Sequence, residues 1–513
     1  MNKAAKRFER ETNAFLSMRQ LADQAFSRAA GAPLISGNSV RLLIDAKENY
    51  PAWLEAIANA QRYIHFESYI IHEDKMGWTF ADALIAKARE GVRVRVIYDW
   101  LGGFGKTSRR FWNYMRAGGV DVRCYNTPRL DSPFGWLSRD HRKTITVDGE
   151  IGFVTGLCIG RMWVGDPDKG LEPWRDTGIE VRGPSVANID QAFARIWDVI
   201  GDQLPSDEVS RFDPEATTGD VALRVVPSEP ASAVMLRVDQ LVATLARERL
   251  WLTDAYYAGT TLYVQALRAA AKDGVDVRLL VPSASDIPIL KPLSRSGYRP
   301  LLDAGVRLFE WNGTMLHAKT AVADGTWARV GSTNLNLASW YGNLELDVVV
   351  EDVKFAKQME ETYLRDLENS TEIVLDARRK VRTPKRPAKL RPAMTSGGGT
   401  GGRAAAGAMR IGNAVSAAFT NRRVLEPVEG RLMILVGLLL LSLAVIGWFF
   451  PRGLSYPLVF LLAWSALALI YRGYKLWTQQ FAPKTMDHET AATNDRPEAP
   501  VGAPVRKQRV KQP

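Results

Sequence analysis

Short β-branched runs alternate with amphipathic stretches over the first 370 positions, and two long uncharged runs stand near the C-terminus. Phe80–Arg89 places Ala, Leu and Ile on one helical face, and Gly91-Val92 then opens the strand-like run VRVRVIYD. The same order returns later, where AAKDGVDVRLLVP covers Ala270–Pro282. Ile64–Tyr69 (IHFESY) and Leu250–Tyr256 (LWLTDAY) read as the strands that precede each helix. Further pairs follow in matching order: Arg116–Asn126 with Asp303–Asn312, and Arg139–Gly156 with Met315–Ser332. Strands alternating with helices predict an α/β fold of βαβ units, here two sandwich halves packed about a pseudo-two-fold axis.

The two uncharged runs are Leu432–Phe450 and Leu454–Tyr471, of 19 and 18 residues. Each is long enough to cross a hydrocarbon core of about 30 Å as a helix. Trp448, Phe449, Tyr456, Tyr471 and Trp477 stand at their ends, where an interfacial belt belongs. Arg422, Arg423, Arg431, Arg472 and Lys475 flank the pair outside, against Arg452 in the turn, which predicts both termini on the cytoplasmic side. The expected organisation is an N-terminal amphipathic helical segment (1–37), first half (38–205), second half (215–370), basic Pro/Gly-rich linker (374–430), transmembrane hairpin (431–472) and disordered tail (473–513). Phe8–Phe26 is amphipathic, suited either to a membrane surface or to packing on the α/β body.

Charge sharpens this picture. The net charge is +11, and Arg378–Arg410 holds ten Lys or Arg and no acid. A basic linker beside a membrane span is both solvated and attracted to anionic headgroups. Cys124 and Cys158 lie far apart and in no metal-ligand spacing, which excludes a disulfide framework and a zinc site. The first thirty residues have no continuous apolar core, so no secretory signal is expected there.

The candidate chemistry lies in a doubled pattern, His-x-Lys-x-x-x-x-Asp: His141, Lys143, Asp148 and His317, Lys319, Asp324. One copy is weak evidence; two, at matching places in a repeated frame, are strong. Residues i and i+2 of a strand share a face, so each His and Lys share a pocket wall. Asp148-Gly149 and Asp324-Gly325 are also hairpin signals, leaving each Asp either a turn former or a substrate contact. Two lysines can neutralise the non-bridging oxygens of a phosphodiester. One imidazole can attack phosphorus while the other protonates the departing alkoxide. A neutral nucleophilic His needs a carboxylate on its other ring nitrogen, and Asp176 and Glu345 are the candidates downstream of each motif.

The doubled motif, with WRDT-x-x-x-x-x-GP-x-V after the first copy and GS-x-N after the second, resembles the phospholipase D superfamily. Phe66–Ile70, Gly91–Arg95 with Tyr98-Asp99, and Arg139–Lys143 resemble bacterial cardiolipin synthases most closely, over about residues 38 to 367. The resemblance implies that His141, Lys143, His317 and Lys319 are catalytic and that Asp148 and Asp324 complete the signatures. It implies Asn334 as a phosphate-oxygen donor, Asp176 and Glu345 as orienting groups, His141 as nucleophile and His317 as acid. Cys158 stands where the first motif's Asn is expected, and Asn336 where Asp is common. Many cardiolipin synthases carry their membrane spans before the catalytic body, whereas here the apolar runs follow it.

The leading expectation is a phosphatidyltransferase that makes cardiolipin from phosphatidylglycerol or another phospholipid. It needs no cofactor or metal, and works on anionic phospholipids at the bilayer of the inner membrane with a cytoplasmic catalytic body. A hydrolytic phospholipase D releasing phosphatidic acid is second. A nuclease comes third, because a lipid anchor gains it little and so argues against a nucleic-acid partner. A non-catalytic scaffold is opposed by the two intact motifs.

Overall fold

The computed structural model describes residues 22–128, 137–166, 168, 170–287, 294–375, 381–382 and, in part, 438–480. Most of the basic linker, much of the first apolar run and the tail beyond 480 lie outside the described residues. The strands of the first half are β1 (Ile35–Ile44), β2 (Tyr63–Ser68), β3 (Arg93–Asp99), β4 (Asp121–Tyr125), β5 (Arg139–Asp140), β6 (Lys143–Val147), β7 (Ile151–Thr155) and β8 (Thr177–Arg182). Those of the second are β9 (Val221–Ser228), β10 (Arg249–Thr253), β11 (Asp276–Pro282), β12 (Arg307–Trp311), β13 (Thr320–Ala323), β14 (Trp327–Gly331), β15 (Asn343–Glu351) and β16 (Ser370–Leu375).

Strand pairing runs β4-β3-β2-β6-β7-β8-β1 through the first half, with β2, β3 and β4 parallel. In the second it runs β9-β15-β14-β13-β10-β11-β12-β16, with β10, β11 and β12 parallel. Antiparallel pairing of β1 with β9 joins them into one large mixed sheet. Parallel neighbours require helical crossovers, and Lys75–Arg89, Arg109–Ala117 and Thr261–Lys272 supply three of them. The Asp74 carboxylate caps the first by accepting from Met76 and Gly77, and the Thr260 hydroxyl caps the last by accepting from Tyr263.

β6 and β7 are buried along their whole length, so both read as continuous apolar or Thr-rich runs rather than alternating ones. Ile64, Phe66, Val94, Val96 and Ile145 pack under the helices of the first half. Leu250, Leu252, Val277, Leu279 and Leu308 do the same in the second. A third cluster takes Val154, Ile179 and Val181 from one half and Leu223, Val225, Leu346 and Val348 from the other. Each such buried aliphatic chain contributes about 1.5–3 kcal/mol, so this shared core fixes one half against the other.

Helix 22–30 packs Phe26 and Ala30 on the second half's core, and Asp23 pairs with Arg224. The described end of the N-terminal amphipathic stretch therefore lies on the catalytic body. Helix Pro451–Gln480 contains the second apolar run. Among the described residues no helix is long and apolar enough to cross a membrane.

Candidate active site

His141 and Lys143 stand at the start of β6, and His317 and Lys319 just before β13. Both places adjoin the C-terminal ends of the parallel strands beside them, β2 and β10. Here each half completes the other. β5 runs parallel to the start of β15, with Arg139 opposite Asn343 and the His141 N–H donating to the Leu344 carbonyl at 2.9 Å. That register sets Glu345 beside His141, with the Nδ1 to Oε2 distance 2.9 Å. In the mirror arrangement, Arg175 forms a parallel bridge with Leu316, and the His317 N–H donates to the Arg175 carbonyl at 2.7 Å. Asp176 Oδ2 then lies 2.7 Å from His317 Nδ1. Each carboxylate thus serves the histidine of the opposite half. With Nδ1–H donating to a carboxylate, the lone pair of each ring is on Nε2.

The four groups are buried: His141 is 8% exposed, His317 5%, Lys143 2% and Lys319 1%. Each lysine donates to the carbonyl of its own histidine, and Lys319 Nζ is 3.0 Å from His317 Nδ1. Burial, with Lys143 and Lys319 adding and Glu345 opposing, pulls the His141 imidazole down to about 4. Burial and then Lys319, opposed by Asp176, pull His317 down to about 3. Burial pulls Lys319 down to about 8, with Asp176 opposing and Lys143 adding. Against the penalty of burial, His317 and Lys319 hold Asp176 below its ordinary value, and His141 and Lys143 hold Glu345 below its own. At neutral pH the site therefore holds neutral imidazoles and ionised carboxylates under a positive field.

Asp148 and Asp324 are not brought to this pocket, which corrects their expected place among the catalytic groups. Each lies past the far end of its strand, roughly 17 Å from the motif lysine at about 3.3 Å per residue. Asp148 and Gly149 have φ of 55° and 69°, and Asp324 and Gly325 have 50° and 62°. These left-handed turns suit Asp-Gly. The Asp148 carboxylate accepts from the backbone N–H of Gln61, Arg62 and Tyr63 at 2.7–2.9 Å. Asp324 accepts likewise from Arg247, Glu248 and Arg249. Both aspartates tie a hairpin to the start of the neighbouring parallel strand.

Asn334 is buried, its Nδ2 lies 3.5 Å from Ser339 Oγ, and its Oδ1 has no partner among the described residues. Cys158, its counterpart, is buried and lies within the field of both lysines. Asn336 donates to the Tyr256 carbonyl and accepts from the Ser339 N–H, which makes it a loop brace.

Several neighbours were not singled out as site residues from the sequence. Tyr69 and Tyr256 set their ring edges on His141 and His317, at 4.9 and 5.7 Å between centroids. Their faces lie 5.1 and 5.8 Å from the ammoniums of Lys143 and Lys319. Tyr69 follows β2 and Tyr256 follows β10, the matching strand of each half, and that matching position was the available signal. Trp163 donates from Nε1 to Asp176 Oδ2 at 3.1 Å and packs against His317. Asp254 is buried within the field of Lys319, and burial pushes it up to about 7.

Paired His–Lys groups from two halves of one mixed sheet, each imidazole braced by the other half's carboxylate, define an enzyme of the phospholipase D type. The family model described as "Cardiolipin synthase, PLD-like domain" matches residues 53–197 and 242–367. The chain belongs to this cardiolipin synthase family of phospholipase D-like enzymes. It is 34% identical over 364 residues to cardiolipin synthase A of Pseudomonas aeruginosa, covering 70% of this chain and 73% of that one. It is 32% identical over 345 residues to the cardiolipin synthase of Alkalihalophilus pseudofirmus, covering 66% and 68%. In fold it is similar to the phosphatidylserine synthase of Haemophilus influenzae, with TM-score 0.54 and 14% identity over 68% of this chain and 91% of that one.

Proposed function

We propose that the chain transfers a phosphatidyl group from phosphatidylglycerol to the hydroxyl of a second phospholipid, making cardiolipin. The observation that carries this reading is the crossed bracing of two neutral imidazoles, His141 by Glu345 and His317 by Asp176, under two lysines. His141 Nε2 attacks phosphorus, and the bond to the glycerol oxygen breaks as His317 supplies its proton. Lys143 and Lys319, with Asn334, hold the non-bridging oxygens as charge builds on them. The phosphodiester anion cancels part of the lysine field that depresses both rings, so substrate binding raises the His317 pKa and readies it as an acid. In the second step His317 takes the proton of the acceptor hydroxyl, whose oxygen displaces His141 from phosphorus. One phosphodiester replaces another, so no outside energy source is required.

The two halves are read as related by a pseudo-two-fold axis, supported by their matching strand order and crossed bracing. Residues 431–472 are proposed as a re-entering membrane anchor that keeps the catalytic body at the cytoplasmic face of the inner membrane. Two uncharged runs in the sequence support it. So do Leu458, Val459, Phe460, Leu462, Leu467, Leu469 and Ile470, each more than half exposed along Pro451–Gln480.

The test is lipid mass spectrometry on a bacterium lacking its own cardiolipin synthases, expressing the intact chain or its His317→Ala variant. Cardiolipin with the former and none with the latter is expected. Phosphatidic acid appearing instead would make the enzyme a hydrolase, and no lipid change from well-expressed, membrane-bound protein would overturn the lipid reading.

A further inference from the structure

The repeat brings one residue of each half to the same turn beside the His–Lys pairs. Thr144 pairs with Val154 across β6 and β7, and Thr320 with Val330 across β13 and β14. Four residues past those valines stand Cys158 and Asn334. Each turn is pinned by hydrogen bonds. The Ile159 N–H donates to the Ile70 carbonyl at 3.2 Å, and the Tyr50 hydroxyl to the Cys158 carbonyl at 2.7 Å. The Leu335 N–H donates to the Asp254 carboxylate at 2.9 Å, and the Ala258 N–H to the Leu335 carbonyl at 3.1 Å. Both side chains are buried, Cys158 at 2% exposure and Asn334 at 4%.

Their places match and their chemistry does not. Among the described residues the Asn334 carboxamide reaches only the Ser339 hydroxyl, at 3.5 Å, and its Oδ1 has no partner. That distance is the outer limit of a hydrogen bond, so the buried amide is under-used until a ligand meets it. The Cys158 thiol lies in the field of Lys143 and Lys319 and within range of Tyr69 and Tyr256, which sets it where the two halves of the pocket join. Burial pushes it up despite both lysines, so it stands as the neutral thiol. A thiol is a weak donor with a soft, polarisable sulfur, whereas a carboxamide offers two good N–H donors.

We propose that Cys158 makes the phosphate clamp one-sided. Asn334 donates to one non-bridging oxygen of the phosphodiester, and the other, on the Cys158 side, has lysine charge but no amide. The inference rests on the phosphodiester-transfer reading and deepens it by naming the residue that tells the two oxygens apart. Those oxygens are stereochemically distinct, so replacing one by sulfur gives two P-epimers. Sulfur is larger than oxygen and a poorer acceptor. Facing Asn334 it forfeits the amide hydrogen bond; facing Cys158 it loses little and meets another soft atom. The pocket therefore accepts one P-epimer of a phosphorothioate donor well and the other poorly.

The experiment supplies the full-length chain, in detergent micelles, with each P-epimer of phosphorothioate phosphatidylglycerol separately, together with deuterated glycerol. Mass spectrometry reads the initial rates of glycerol exchange and of hydrolysis. Wild type is expected to favour one epimer by about tenfold or more, the worth of a hydrogen bond to a charged group. Cys158→Asn, which puts an amide on both sides, should bring the ratio close to one, and so should Asn334→Ala, which leaves none. The double exchange Cys158→Asn with Asn334→Cys should reverse the preference. A loop-bracing role alone would slow both epimers together and leave the ratio where it was. The ratio is internal to one preparation, so a partly folded variant still reports it. A ratio near one in wild type, a ratio unmoved by Cys158→Asn, or a double exchange that keeps the wild-type preference overturns the inference. Ordinary phosphatidylglycerol in the same assay separates it from the cardiolipin reading. If no cardiolipin forms yet hydrolysis shows the Cys158-dependent epimer preference, that reading fails and the one-sided clamp stands.

Discussion

At the level of single residues, the site is a matter of protonation. His141 at about 4 and Lys319 at about 8 bracket the range in which the free enzyme holds a neutral His141 imidazole and a charged Lys319 ammonium, the states that the proposed nucleophile and phosphate clamp require. The pH profile of kcat/KM should rise through the lower value and fall through the upper. Lys319→Arg, whose guanidinium stays charged, should remove the alkaline fall; a fall that persists in this variant assigns it elsewhere. Stability carries the opposite signature to a salt-bridged histidine. Both imidazoles are depressed from 6.5, so protons bind the unfolded chain preferentially. The stability held in keeping them neutral is full above pH 6.5 and is lost as pH falls through about 4 and about 3. His317→Asn should flatten that acid loss in urea denaturation.

Asp148 and Asp324 make the contrasting case. Each accepts three backbone N–H bonds far from the pocket, so Asp148→Asn should cost stability, about 1–3 kcal/mol, with kcat reduced far less than in His141→Asn. Chevron-independent equilibrium unfolding and steady-state kinetics on the same preparation separate the two effects. The sequence shows these residues in the motif but cannot show which way they serve it, because an Asp-Gly turn and a substrate contact have the same spelling. It likewise names Asp176 and Glu345 without showing which histidine each holds. That depends on strand register between halves about 140 and 200 residues apart in the chain.

At the level of elements, two short parallel pairings carry the site: β5 on β15, and residues 174–176 on 315–317. Arg175 secures the second. Its guanidinium is buried, with Nε 2.9 Å from Asp366 and Nη1 3.3 Å from Asp45. Arg175→Ala leaves those acids without their cation, and a loss of about 3–5 kcal/mol in unfolding free energy is expected. A loss under 1 kcal/mol, measured by urea titration, would show that the pair contributes little. Alternation and turn signals made the strands and their order legible in the sequence. The crossed pairings were not legible, since both are two- or three-residue contacts with no periodicity to announce them.

At the level of the whole molecule, the site exists only where the halves meet. Fragments 1–205 and 206–375 expressed separately should each lack transferase activity, because each histidine then lacks its carboxylate. Activity in either fragment alone, assayed on phosphatidylglycerol micelles, would contradict the crossed arrangement. Truncation after Leu375 should move the protein from the membrane pellet to the supernatant on fractionation, since it removes both apolar runs and the basic linker.

The central claim is that His141 carries the phosphatidyl group while His317 handles protons. It is tested most directly in His317→Asn with a phosphatidyl ester of p-nitrophenol, a leaving group that needs no acid. The account predicts a stoichiometric burst of nitrophenolate and a phosphatidyl mass on the peptide containing His141, since no base remains to activate the acceptor. Steady turnover without that adduct, or an adduct on His317 in the converse His141→Asn variant, would contradict it.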